Sequence, residues 1–87
     1  MGDGGTDRFR KLLDEQTAWP AEYTFKFIVP EERLTDLEAV FGQIPFTVRE
    51  SRNGRYRSVT AIVLMHSSEE ILALYAAAAR IEGLIAL

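Results

Sequence analysis

The chain has 87 residues, a formal net charge of −3 and no cysteine. This length supports one domain with a single modest core, and the lack of cysteine excludes disulfides, thiolate catalysis and cysteine-based zinc sites. Its apolar runs are far shorter than the roughly 20 residues that span a bilayer. The first residues carry neither the basic nor the apolar region of a secretory signal, so a cytoplasmic location is expected.

Residues 1–18 are expected to form a disordered tail and a short helix. Residues 1–5 are rich in glycine, and Thr6 is suited to cap a helix over residues 7–16. The apolar stripe of this helix consists of Phe9, Leu12 and Leu13. Because isolated helices of about this length rarely persist in water, it must dock on something. The open side of the sheet and a partner chain are both candidates.

Residues 19–87 are expected to form the folded domain. Residues 23–29 alternate between apolar and polar side chains, which predicts a half-buried strand. The inner face of this strand carries Tyr23, Phe25, Phe27 and Val29. Pro30 then suits the first position of a helix, and Gly42 suits the left-handed residue that ends it.

Asn53-Gly54 lies between two extended segments and predicts a tight hairpin. A type I′ turn needs positive φ at both central residues, which asparagine tolerates and glycine adopts freely. The segment after the turn is apolar at successive positions from Ala61 to Met65. This pattern predicts a central strand that is covered on its far side.

A second helix is predicted after the hairpin. Ser67 and Glu70 match a capping box at its start. Its inner stripe continues to Ile81, and Gly83 ends it before a short final strand over residues 84–87.

The predicted order from residue 19 is strand, helix, strand, strand, helix, strand. Two right-handed strand–helix–strand units then interleave into one antiparallel sheet with both helices on one face. We therefore predict an α+β, ferredoxin-like split βαβ fold (βαββαβ) with the spatial strand order 4-1-3-2. The short N-terminal helix is an addition to this fold.

The hairpin is the most basic part of an acidic chain, with four arginines between positions 49 and 57. One interpretation is a solvated hairpin whose charges prevent edge-to-edge strand pairing. The other is a site for an anion or a partner, because arginine offers planar, bidentate donors to carboxylate or phosphate. The residues predicted for that site are Lys26, Arg49, Arg55, Tyr56 and Arg57.

A resemblance to a known family lies in the same hairpin. The segment Asn53-Gly54-Arg55-Tyr56-Arg57-Ser58-Val59-Thr60 looks like the Lys-Gly-x-Tyr-x-Ser-Val segment of the YbeD-like family, with Asn53 in place of the lysine. With Trp19-Pro20 and Glu82-Gly83-Leu84-Ile85, the resemblance covers residues 19–87. Those small bacterial proteins have no known function and are similar in fold to ACT regulatory domains, which sense small ligands at interfaces between paired domains. The resemblance implies a binding or regulatory module, although a fold alone does not establish function.

The leading hypothesis is a non-enzymatic module that acts through self-association, a protein partner or a small anion. It depends on the second face of the sheet, which is too apolar to stay in contact with water. The residues expected on that face are Lys26, Ile28, Ser58, Thr60, Ile62 and Leu64. Single-stranded RNA binding through the basic hairpin is the alternative, because RNA-recognition motifs share this topology. No nucleophile–base pair is evident, His66 suits a turn or a cap, and no cofactor, metal or membrane contact is expected.

Overall fold

The computed structural model describes residues 4–87. In chain order the elements are α1 (Gly4–Gln16), β1 (Ala21–Pro30), a 3-10 turn (Glu31–Arg33), α2 (Leu34–Phe41), β2 (Thr47–Glu50), β3 (Tyr56–Met65), α3 (Ser68–Ala78) and β4 (Ile85–Ala86). The Trp19-Pro20 peptide bond between α1 and β1 is cis.

The four strands form one antiparallel sheet in the order β2-β3-β1-β4, which reads β4-β1-β3-β2 from the other edge. The central strands β1 and β3 pair over their whole length, from Ala21 opposite Met65 to Pro30 opposite Tyr56. The predicted α+β class and four-stranded antiparallel sheet are therefore confirmed. The ideal ferredoxin-like pattern is not matched in full, because the described chain has a third helix and β4 is only two residues long.

One side of the sheet carries the core. The odd-numbered side chains of β1 and β3 lie there, and six of these ten are buried, as the alternation of the sequence predicts. The fully or almost fully buried members of this core include Phe25, Phe27, Val29, Val59, Ala61, Leu37, Phe41, Ile71 and Ala78. Because α2 and α3 contribute to the same cluster, both helices lie on this side of the sheet.

Helix α1 lies on the same side. Phe9 and Leu13 pack against the core cluster, and α1 contacts α3. The helix begins by Gly4 rather than at Asp7, so Thr6 lies within it and is not its cap. The predicted disordered tail is thus wrong for residues 4 and 5, and its first three residues lie outside the described part of the chain.

The hairpin loop differs from the predicted type I′ turn. Gly54 has a φ of 75°, but no described residue other than glycine has a positive φ, so Asn53 does not. The Gly54 N–H donates to the Ser51 carbonyl at 3.1 Å, and the Asn53 side-chain oxygen accepts from the Arg55 N–H at 3.1 Å. That local bond to an asparagine side chain is an alternative to the left-handed backbone. The strands are joined by a five-residue loop over residues 51–55.

The expected helix start at Pro30 is also wrong. Pro30 is extended, with φ −58° and ψ 143°, and ends β1 opposite Tyr56. A strand end is a position where the missing N–H of proline costs little. The chain then makes the 3-10 turn, with the Glu31 N–H donating to the Arg55 carbonyl at 2.9 Å, before α2 begins at Leu34.

The start of α3 is capped by Ser67, whose side chain accepts from the Glu70 N–H at 3.2 Å. The Glu70 carboxylate accepts from the His66 N–H at 2.9 Å rather than from that of Ser67, so the box is shifted by one residue. The His66 ring lies 3.5 Å from the same carboxylate. These contacts give His66 a structural role at the start of α3.

Candidate functional site: the open face of the sheet

The side of the sheet opposite the helices is called the open face. It is defined by the residues whose register places them on that side. They are Glu22, Thr24, Lys26 and Ile28 of β1, Tyr56, Ser58, Thr60, Ile62 and Leu64 of β3, Thr47 and Arg49 of β2, and Ile85 of β4. Strand alternation thus places both apolar and cationic side chains on one surface.

Large apolar side chains on the open face remain in contact with water. Ile62 is 60% exposed, Leu64 is 54% exposed and Ile85 is 52% exposed. The predicted cover by the N-terminal helix is not found, because α1 packs beside α3 on the other side. Of the two candidates for that helix, docking on the open side of the sheet is therefore wrong.

A cationic depression of about 330 Å³ lies in the middle of the open face. Its lining consists of Lys26, Thr47, Arg49, Ser58 and Thr60. Lys26 and Thr47 flank Thr60 on either side, while Arg49 lies directly opposite Ser58. The lining therefore combines two formal positive charges with three hydroxyls and contains no carboxylate.

The two cations of the depression differ from Arg57 in their surroundings. Among residues 4–87, no ion pair involves Lys26 or Arg49. Arg57 is only 15% exposed and lies 3.4 Å from Glu31 and 3.3 Å from Glu50. It also donates to the Gly54 carbonyl at 2.9 Å. Arg57 therefore supports the hairpin from the helix side of the sheet and has its charge balanced there.

Arg55 and Tyr56 line a different hollow, of about 370 Å³, between the hairpin loop and the end of β1. Glu31 and Glu32 line it as well, so its charge does not favour an anion. Of the five residues predicted for one site, the structure thus places two in the cationic depression, Lys26 and Arg49, and two others in this separate hollow. Tyr56 shares their side of the sheet but lies at the strand end, opposite Pro30.

Sequence reasoning placed Ser58 and Thr60 on this face without assigning them to the site, and it missed Thr47. Part of the signal was present in the period of two, which places Thr47 on the same side of β2 as Arg49, and Ser58 on the same side of β3 as Thr60. What the sequence did not supply was the register that joins them to Arg49.

Stacking platforms for nucleic acid bases are sparse on this face. Both central strands are wholly described, and their open-face side chains include one aromatic ring, that of Tyr56. Base recognition on a sheet of this kind depends on several aromatics along the central strands. This arrangement does not favour the RNA alternative.

Tyr23 and Tyr75 form a polar contact on the helix side, with their hydroxyl oxygens 2.9 Å apart. Burial raises the pKa of the Tyr75 phenol well above its usual value, and the hydrogen bond with Tyr23 raises it further. The rings pack edge-on to each other and to Phe25. The contact therefore favours the neutral form of the Tyr75 phenol at the edge of the core.

Residues 4–87 contain no group of three or more histidine, aspartate or glutamate side chains placed to hold a metal ion. No helix within that range has the length and apolarity needed to cross a membrane.

The comparisons with known proteins agree on one family. A family described as "Protein of unknown function (DUF493)" matches residues 14–87. A UPF0250 protein from Shewanella loihica (strain ATCC BAA-1088 / PV-4) is 39% identical over an alignment of 84 residues that covers 87% of this chain and 90% of that protein. No solved structure matches the chain. The YbeD-like name and the likeness to ACT domains stay predictions.

Proposed function

This chain belongs to the DUF493 family of proteins of unknown function, and we propose that it is a non-enzymatic binding module that self-associates through the open face of its sheet. The observation that carries the proposal is the exposure of Ile62 and Leu64 on a face that no helix of the described chain covers. Exposed apolar surface of this kind is typical of interaction sites.

Burial of the open face supplies a driving force. Ile62 and Leu64 each leave more than half of their surface in water. Covering that part contributes about 1 kcal/mol for each side chain. With both copies counted, these side chains alone contribute several kcal/mol, which favours association over a solvated face.

The charge pattern of the open face supports a second copy of this chain as the partner. Glu22 lies at one end of β1 and Lys26 lies further along the same side of the strand. Consider a two-fold axis that lies between the two stacked faces and crosses the strands at the level of Thr24 and Ile62. This axis places Glu22 of each copy opposite Lys26 of the other. It also places the two Ile62 side chains against each other, so the surface is complementary to itself.

The size of the face sets the expected strength. Each of the ten-residue strands β1 and β3 is about 33 Å long, so two stacked faces bury roughly 1,000 Å² in total. This area is at the lower end for specific interfaces. A concentration-dependent dimer with a dissociation constant on the order of micromolar is therefore expected.

We further infer that the sheet and helices are a variant of the ferredoxin-like arrangement, and that the role is regulatory in the manner of ACT domains. The strand order and the pairing of β1 with β3 support the first inference. The resemblance of the hairpin segment supports the second. Fold likeness gives this role less support than the exposed face gives to self-association.

Sedimentation velocity over a range of protein concentrations tests self-association. The wild-type chain is expected to shift from monomer to dimer as its concentration rises to about 100 µM, and Ile62→Glu is expected to remain monomeric because it buries a charge. Leu12→Glu is the matched control, because Leu12 is 48% exposed on α1 and away from the sheet. A wild-type chain that stays monomeric throughout, or equal effects of both variants, would contradict the proposal.

A further inference from the structure

We propose that the cationic depression of the open face binds the dianionic phosphate group of a small organic phosphate. The depression has a volume of about 330 Å³, which is within the range of small-ligand sites. Lys26 and Arg49 give it two formal positive charges. A phosphate monoester carries about −1.5 to −2 charges at neutral pH, so the charges match.

Strand alternation explains why these two cations are available. Glu50 follows Arg49 directly, but its side chain lies on the opposite side of β2 and pairs with Arg57 at 3.3 Å. Arg33 is likewise engaged, by Asp36 at 3.6 Å and Glu82 at 3.3 Å. Within the described chain, acidic partners thus occupy Arg33 and Arg57, while Lys26 and Arg49 face the depression without one.

The register also places the hydrogen-bond donors of the depression on three neighbouring strands. Lys26 on β1 and Arg49 on β2 flank β3, so their strands are about 10 Å apart. Ser58 and Thr60 lie between them on β3. A phosphate on β3 would receive bonds from the guanidinium, the ammonium and the hydroxyls, and charge-assisted bonds of this kind are the strong ones.

Thr47 has a narrower role. Its hydroxyl oxygen lies 3.5 Å from the Thr60 carbonyl, to which it donates. It is therefore a positioning residue that ties the edge strand beside the depression. The organic part of the ligand would lie against Ile28 and Ile62, which neighbour Lys26 and Thr60 along their strands.

This site deepens the proposed function, since it lies on the same face, but it is complete within one chain. All of its lining residues come from a single copy. Phosphate binding is therefore measurable at concentrations where the chain is monomeric. A failure to dimerise would contradict the proposed function and leave this measurement unaffected.

The test is a titration of the full, isotope-labelled chain with phenyl phosphate, followed by amide NMR shifts at low protein concentration. Saturable shifts are expected at Arg49, Ser58 and Thr60, and benzoate is expected to bind about tenfold more weakly because it carries a single charge. The double variant Lys26→Met/Arg49→Met is expected to weaken phenyl phosphate binding at least about tenfold.

The matched control is Arg52→Met/Arg55→Met, which removes the same amount of charge from the hairpin loop. It is expected to keep wild-type affinity, and a native amide spectrum for both variants shows that they fold. Equal losses in the two double variants, or shifts that do not saturate, would overturn the proposal. Binding of a single-stranded RNA oligonucleotide without binding of phenyl phosphate would also overturn it, in favour of nucleic acid.

Discussion

Glu22 and Lys26 project from the same side of β1, opposite Leu64 and Thr60 of β3. They are four positions apart along the strand, a distance of about 13 Å. In the proposed dimer each meets the other residue of the second copy. Glu22→Lys and Lys26→Glu alone are therefore each expected to weaken dimerisation at least about tenfold, because like charges then face each other.

The combined variant Glu22→Lys/Lys26→Glu restores opposite charges and is expected to recover most of the wild-type dimer. Sedimentation velocity at matched ionic strength measures all four proteins. If the combined variant is as weak as the worse single variant, the two residues do not face each other across an interface.

Phosphate and self-association are expected to compete. Lys26 is part of the depression and is also the residue opposite Glu22 in the proposed dimer. Saturating phenyl phosphate should therefore raise the dimer dissociation constant about tenfold, since each ligand bound to the monomer opposes its pairing. Analytical ultracentrifugation with phenyl phosphate, against sodium chloride of equal ionic strength, measures the change. A dissociation constant that falls on adding phenyl phosphate would show that the ligand completes the interface.

Tyr75 provides a prediction about pH. Burial and the Tyr23 hydrogen bond raise the pKa of its phenol in the folded chain above the unfolded value, which is about 10. A raised pKa means that the stabilising contribution is complete below pH of about 10 and is lost as the pH rises further. Tyr75→Phe is therefore expected to reduce the fall in unfolding free energy between pH 9 and 11.

Urea unfolding at several pH values measures that fall. Tyr56→Phe is the control, because this substitution removes one phenol from an exposed position outside the core. If Tyr75→Phe and the control leave the same pH dependence, the Tyr75 phenol is not the group that titrates.

Position 83 requires glycine for two reasons, its backbone conformation and a close neighbour. Its φ is 83°, and a Cβ at this position would lie 2.8 Å from Cγ of Pro30. Gly83→Ala is expected to lower the unfolding free energy by about 1–3 kcal/mol. Gly42→Ala is the matched control, because Gly42 has a φ of 62° but no atom within 4 Å of such a Cβ.

Thermal or urea unfolding of the two glycine variants separates backbone strain from contact. The larger loss is expected for Gly83→Ala, since it adds the contact with Pro30. Equal losses would mean that the chain relaxes away from Pro30 at no cost.

The fold was largely predictable where the hydrophobic period was strong. Residues 23–29 and 59–65 alternate clearly, and they became the central strands. The hairpin turn and the role of Pro30 were not predictable, because they depend on bonds that the pattern does not show. These are the bond from Arg55 to the side chain of Asn53 and the bond from Glu31 to the Arg55 carbonyl.

The site was predictable only in part. The sequence showed a cluster of arginines, but proximity along a strand does not mean a shared surface, because neighbouring side chains alternate. Arg49 and Arg57 thus lie on opposite sides of the sheet, and Glu50 balances only Arg57. The register of three strands brings Lys26 close to Arg49, and no local sequence pattern predicts that register.

Intermolecular NMR contacts test the open face most directly as the surface of self-association. A sample that mixes isotope-labelled and unlabelled chains, well above the dimer dissociation constant, reports only contacts between copies. Contacts between the Ile62 methyl groups of the two chains are predicted. Contacts confined to helix residues such as Leu12, with none to Ile62 or Leu64, would contradict the assignment of this face.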